Sequence, residues 1–312
     1  MRALAAALLL LISTAPDSPL FALEEQRPAT VKLNEICEAK GRSGCVVRLS
    51  IEGAITAETG RSFASLLELE QQRSGSTLRP VVTIQSTGGD LYAALAIGRE
   101  IRKRTGAVAS PGPCHSACVF AAMGGVERNI TGIGLHRPYF AHSDTNVFAE
   151  ADARYKRMLR LITDYLAEMN ISEDLLRLMI SVPPGEMRLL PAQDARRIGL
   201  NGIDPAFDEF RTGQEAAQYG ISSAELRRRH ASLDQHCGRE DEIRSLAELH
   251  KREDCKAKLR ERVLWGFDDA SFALLNRTSA EHCKAIEAET HEKKMCVRRV
   301  AEAIRRETAQ RR

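Results

Sequence analysis

Between Cys45 and Ile203 the chain alternates short runs of β-branched residues with longer runs whose apolar positions recur every three or four residues. CVVRLSIEG, from Cys45, predicts a strand, and SFASLLELEQQ carries apolar residues at helical spacing. RPVVTIQ is a second strand, and LYAALAIGREIRKR a second helix closed by the basic residues that favour a helix C-terminus. GAVAS is a third strand, SACVFAAMGG a short apolar helix ended by glycines, and NITGIGLH a fourth strand that reaches His136. Such alternation predicts an α/β architecture, a parallel sheet with helical crossovers.

Beyond His136 the pattern turns helical. Phe148, Tyr155, Met158, Leu159, Ile162, Tyr165, Leu166 and Met169 fall three or four apart, which gives one apolar helix face whose ordinary role is core packing. SEDLLRLMI repeats the pattern with Ser172 as N-cap, VPPGEM breaks it, and LLPAQDARRIGLNGID predicts a short helix and a closing strand. From about Phe207 the composition is charge-rich and helix-favouring, and Ser222-Ser223-Ala224-Glu225 offers a helix start. A boundary is therefore expected near residue 215, between an α/β domain over 23–210 and an all-α module over 215–312. Arg227, Arg228 and Arg229 read as a solvated helix face rather than a contact for an acidic partner or lipid headgroups.

At the N-terminus, Arg2 precedes an apolar run from Ala3 to Ile12, shorter than the roughly 20 residues that span a bilayer. It reads as a signal peptide over residues 1–22, cut after Ala22, which predicts a periplasmic or secreted protein; left uncut, it would be a short membrane anchor. The 312 residues are 43% apolar, enough for a sizeable core, and a net charge of +3 with 28% charged residues is a mixed surface that asks for no nucleic acid.

Export changes how the eight cysteines are read, because oxidising compartments favour disulfides. Cys37 neighbours Cys45, and Cys114 neighbours Cys118. In the helical module, a hairpin nests Cys237–Cys296 outside Cys255–Cys283, whereas sequential pairing joins Cys237 to Cys255 and Cys283 to Cys296; the sequence does not choose. CHSAC with His136 offers sulfur and nitrogen to zinc, but the spacing matches no familiar finger, and neither a metal nor another cofactor is expected.

Three segments carry candidate chemistry. VTIQSTGGDL, residues 82–91, ends a strand on Gly88 and Gly89; CHSAC, residues 114–118, sets Ser116 at a helix start; IGLH ends a strand on His136. Glycine amides can face a developing oxyanion, a serine can attack, and a histidine can take its proton. Gly88 and Gly89, with Thr87 beside them, let the backbone approach a substrate closely. Each element alone has a plainer role, as a turn, a cap or a packing residue. His115 adjoins the serine and His142 lies in a polar loop, and neither is expected to act.

Taken together and in order, Ser86-Thr87-Gly88-Gly89, Ser116-Ala117 and Leu135-His136-Arg137-Pro138 resemble the Clp-protease/crotonase superfamily, in its serine-peptidase branch. LLPAQDARRIGLNGID is similar to that family's closing segment, so the resemblance runs from about Cys45 to Asp204 and leaves the C-terminal third unmatched. It implies Ser116 as nucleophile, His136 as general base, the amides of Gly89 and Ala117 as oxyanion hole, and Gly88 and Thr87 at the substrate. It implies peptide or unfolded-protein substrates and a homo-oligomer. In an exported member, a Cys114–Cys118 disulfide would bracket the nucleophile turn.

The family places an aspartate before its closing segment to orient the histidine, and here the matching stretch reads SVPPGEM, Ser181 to Met187. Glu186 is its one carboxylate; the Ser181 hydroxyl or a backbone carbonyl are the uncharged candidates. Crotonases use the same glycine amides for acyl-CoA, which leaves Ser116 and His136 unexplained. The non-enzymatic alternative is a Clp-like scaffold whose helical module meets a partner that the sequence does not name.

Overall fold

The computed structural model describes residues 28–37, 45–74, 79–140, 148–286 and 290–310. The expected signal segment and His142 lie outside the described residues, as do the side chains of Cys37 and Cys45. The chain divides into two compact units, one through Asp204 and one from Pro205. The division precedes residue 215 because that position lies inside one continuous helix, Pro205–Tyr219.

In the first unit, β1 (Thr30–Cys37) and β2 (Cys45–Glu52) are followed by α1 (Ala57–Ser74), β3 (Val81–Gln85), α2 (Leu91–Lys103) and β4 (Ala107–Ser110). Then come β5 (Cys114–His115), α3 (Ala117–Met123), β6 (Glu127–Ile130), β7 (Ile133–Leu135), α4 (Phe148–Glu168) and α5 (Asp174–Ser181). β8 (Arg188–Leu189), α6 (Ala192–Arg197) and β9 (Gly202–Ile203) close the unit. One sheet has the order β1-β2-β3-β4-β6-β9. Its centre, β2 to β6, is parallel, with α1 and α2 as crossovers, while β1 and β9 are antiparallel edges.

The strands depart from expectation in several places, among them the two-residue β5 and β8, which the pattern does not predict. β1 was not predicted, although TVKLNEIC alternates polar and apolar positions as an edge strand does. NITGIGLH is not one strand: Gly132, at φ +58°, breaks it. β6 stays in the large sheet, and β7 pairs with β5 and β8 in a separate sheet of order β5-β7-β8. That break matters for the site, since β5 leads into Ser116 and β7 into His136.

Among the helices, α4 buries Met158, Ile162, Tyr165 and Leu166 as its stripe predicts. Phe148, its first residue, is instead 86% exposed. Ser172 is not the cap residue of α5, which is Glu173, but its hydroxyl accepts the Asp174 amide at 3.2 Å. Every residue of α3 is buried. It packs so closely on α2 that a Cβ on Gly124, at its C-terminal end, would stand 2.0 Å from the Gly98 carbonyl oxygen, and the Tyr165 hydroxyl of α4 donates to the Phe120 carbonyl at 2.8 Å. Arg128 donates to the Met123 carbonyl at the far end of α3, at 2.9 Å. Burial, with Arg102 nearby, lowers the Arg128 pKa to about 10 against the opposing pull of Asp204.

The second unit is helical throughout its described residues: α7 (Pro205–Tyr219), α8 (Ser223–Cys237), α9 (Leu246–Trp265), α10 (Asp269–His282) and α11 (His291–Gln310). Ser222 caps α8 by accepting the Glu225 amide. Tyr219, Leu226, Leu264, Trp265, Phe267 and Ile304 make its core. The cysteines pair sequentially, Cys237 with Cys255 and Cys283 with Cys296, so the nested alternative is not adopted. Successive helices are joined, which brings sequence-near cysteines together. Arg227 and Arg228 are solvated as expected, but Arg229 is half-buried and donates to the Leu264 carbonyl of α9 at 2.6 Å. Cysteine pairs at bonding distance fit an oxidising compartment. Among the described residues no helix is long and apolar enough to cross a membrane.

Candidate active site

Ser116 sits where the second sheet meets α3. Its amide donates to the Gly134 carbonyl of β7 at 2.9 Å, and the preceding amide, of His115, donates to the Ser86 carbonyl at 3.0 Å. The serine is thus held between the end of β3 and the end of β7. Its backbone adopts φ 54°, ψ −123°, a conformation that non-glycine residues rarely hold and that surrounding structure must enforce. Part of that enforcement is the disulfide between Cys114 and Cys118, both fully buried, which brackets the turn.

A serine before a helix ordinarily caps it, yet Ser116 makes no side-chain cap bond. Its Oγ instead lies 2.6 Å from His136 Nε2. The other ring nitrogen, Nδ1, lies 2.8 Å from the main-chain carbonyl oxygen of Arg137. A carbonyl only accepts, so Nδ1 carries the proton, Nε2 is left with its lone pair, and the serine hydroxyl donates to it. This is the tautomer a general base needs. The exposed Tyr139 ring lies 5.2 Å from the imidazole.

The glycine pair shapes the other side. A Cβ on Gly88, at φ +115°, would lie 2.7 Å from Ser116 Cβ and 3.1 Å from Ser116 Oγ, so only glycine lets the strand end pass beside the hydroxyl. Gly89, at φ +133°, is confined further: a Cβ there would stand 2.1 Å from the Ile55 carbonyl oxygen. Ile55 bridges this turn by donating to the Gly88 carbonyl and accepting from the Asp90 amide, each at 2.8 Å. That pattern spends the groups on either side of Gly89 and leaves its own amide facing away from Ile55. Neither the Gly89 nor the Ala117 amide has a hydrogen-bond acceptor among the described residues. Buried Ser86 tightens the turn, its Oγ accepting the Gly88 amide at 3.0 Å. Thr87 is exposed beside it.

Neither side-chain candidate for a third group meets the histidine. Glu186 is exposed, and Ser181 donates to the Leu178 carbonyl of its own helix at 2.7 Å. The SVPPGEM turn ends α5 and feeds β8, which keeps both side chains away from Nδ1. His115 pairs with Gly134 across β5 and β7, and its ring covers that glycine, where a Cβ would meet Cδ2 at 2.4 Å; it takes no part in the Ser116–His136 contact. Among the described residues no cluster of three His, Cys, Asp or Glu side chains could hold a metal. Two groups escaped the sequence, Ile55 and Gly134, since both act through backbone atoms that carry no residue-type signal.

No protein-family model matches the chain, and no curated protein matches it. Among solved structures it is similar to ClpP1 from Listeria monocytogenes, at 19% identity and a TM-score of 0.38 over 49% of this chain and 88% of that one. It is similar also to an asparagine-to-aspartate variant of that protein, at 18% identity and a TM-score of 0.40 over the same shares. At this level of identity and superposition, the likeness says nothing of what any residue in either site does.

Proposed function

We propose that the chain is an exported serine peptidase of the Clp type, hydrolysing peptide bonds in short or unfolded polypeptides through Ser116 and His136. The observation that carries the reading is the 2.6 Å contact from Ser116 Oγ to a His136 ring whose Nδ1 proton is engaged elsewhere. In the reaction, His136 Nε2 takes the hydroxyl proton as Oγ attacks the scissile carbonyl. The oxyanion forms against the amides of Gly89 and Ala117, and the imidazolium then protonates the leaving amine. Water repeats the cycle on the acyl-enzyme. Export, by a signal peptide over residues 1–22, agrees with the paired cysteines, and in such a compartment the protein works without an ATP-driven unfoldase. Self-association into a homo-oligomer belongs to the same reading.

The test is hydrolysis of an unbiased peptide library by the mature protein, with Ser116→Ala as control. Cleavage by the wild type and none by the variant supports the reading. One observation favours the scaffold alternative: the imidazolium is stabilised here by a neutral carbonyl rather than a carboxylate. Tight peptide binding without turnover, equal in both proteins, would select it.

A further inference from the structure

The main-chain carbonyl that faces His136 belongs to a residue whose own side chain is tied to another element. Helix α5 ends at Ser181, and a helix end leaves its last carbonyls without intrahelical donors. The Met179 carbonyl accepts the Val182 amide, and the Leu178 carbonyl accepts the Ser181 hydroxyl. The Ile180 carbonyl accepts Arg137 Nη2 at 2.6 Å, and a cation suits this negative end of the helix. Buried Leu175, Met179 and Val182 fix α5 in the core. By contrast, no backbone–backbone hydrogen bond holds residues 136–140 among the described residues. Besides the His136–Ser116 contact itself, the guanidinium therefore ties this segment to a rigid part of the fold. It reaches the helix end that leads into SVPPGEM, where the resembled family keeps its orienting aspartate.

We propose that Arg137 is a positioning residue: its guanidinium, docked on the Ile180 carbonyl, holds the Arg137 main-chain carbonyl against His136 Nδ1 and so sets the imidazole's tautomer. The device replaces a carboxylate with a clamped peptide group. Its consequence for rate rests on the peptidase reading, whereas its consequence for the tautomer does not.

Two variants of the full chain test it. Arg137→Met keeps the stem's packing and removes the donor, and Arg137→Lys restores one donor at the same place. Nitrogen NMR of histidine-labelled protein with the imidazole neutral reads the tautomer directly. The wild type is expected to hold the proton on Nδ1, Arg137→Met to shift it toward Nε2, and Arg137→Lys to lie between. Fluorophosphonate labelling of Ser116 is expected to slow on the order of tenfold in Arg137→Met, a loss of geometry rather than of a reacting group. Added guanidinium ion in the low millimolar range should restore part of that rate to Arg137→Met and none to His136→Ala. An unchanged tautomer in folded Arg137→Met overturns the proposal, whatever the labelling shows. A shifted tautomer in a protein whose wild type never labels would instead uphold the clamp and remove the peptidase reading.

Discussion

Replacing Gly88 with alanine perturbs the site through one methyl group. The new Cβ would stand 2.7 Å from Ser116 Cβ and 3.1 Å from the His115 carbonyl oxygen, where ordinary contacts begin at 3.4 Å. Ser116 must retreat by the difference, about 0.7 Å, while its bond to His136 Nε2 is only 2.6 Å long. Misplacements approaching 1 Å in a reacting group cost on the order of 10²-fold in rate, so fluorophosphonate labelling should fall by about that factor. Backbone strain adds a separate cost, because φ is +115° and an alanine there gives up about 1–3 kcal/mol. For a unit of this size the melting temperature should fall by about 2–9 °C. Gly202→Ala is the matched control, with φ +108° and no heavy atom within 4 Å of its Cβ; it carries the strain without the collision. Labelling kinetics and thermal unfolding of both variants separate the two effects. A folded Gly88→Ala that labels at the wild-type rate, or a Gly202→Ala that loses as much, would refute the reasoning.

Three further outcomes follow from the same geometry. Glu186→Gln should leave labelling within about twofold of wild type, since the Arg137 carbonyl already occupies His136 Nδ1; a loss comparable to that of His136→Ala would make Glu186 the orienting group. Asp204→Ala should lower the melting temperature by about 10 °C, because Asp204 is buried, accepts from Arg102 at 2.8 Å, and leaves buried Arg128 uncompensated when removed, a change worth about 3–5 kcal/mol; a fall under about 3 °C contradicts this. Burial, with Glu168 adding to it, pushes the Tyr165 phenol above its ordinary value of 10.0. A raised folded-state value means stability that is whole below the unfolded value and lost as pH rises past it. Stability to urea should therefore fall more steeply above about pH 10 in the wild type than in Tyr165→Phe, and parallel slopes would disprove the assignment.

The elements that were legible from sequence are those written in local periodicity and composition. The alternation from CVVRLSIEG through GAVAS gave the parallel centre of the sheet, and the apolar stripe around Ile162 gave α4. Ser116, His136 and the glycine pair stood out as candidates because the chemistry proposed for them rests on side chains, or on their absence, at strand ends. The break at Gly132 was not, since a threonine and glycine inside an apolar run look the same whether the chain continues or turns at φ +58°. The orienter of His136 was hidden for a different reason: it is a carbonyl, present at every residue, and only the fold selects which one faces Nδ1. Cysteine pairing in the helical module was equally mute, because it depends on which helices are neighbours, whereas the Cys114–Cys118 bridge was expected. The positive φ of Ser116 had no signature either, being imposed by Gly134, Ser86 and the Cys114–Cys118 bridge from outside the residue.

The central claim is that Ser116 is an activated nucleophile, and adduct mapping tests it most directly. Mature protein treated with a fluorophosphonate, digested and read by mass spectrometry should carry one adduct, on the peptide containing Ser116, absent from Ser116→Ala and from His136→Ala. The adduct should form more slowly as pH falls, because a protonated imidazole cannot accept the hydroxyl proton. An unmodified Ser116 in folded wild-type protein, or an adduct equally strong in His136→Ala, would contradict the account.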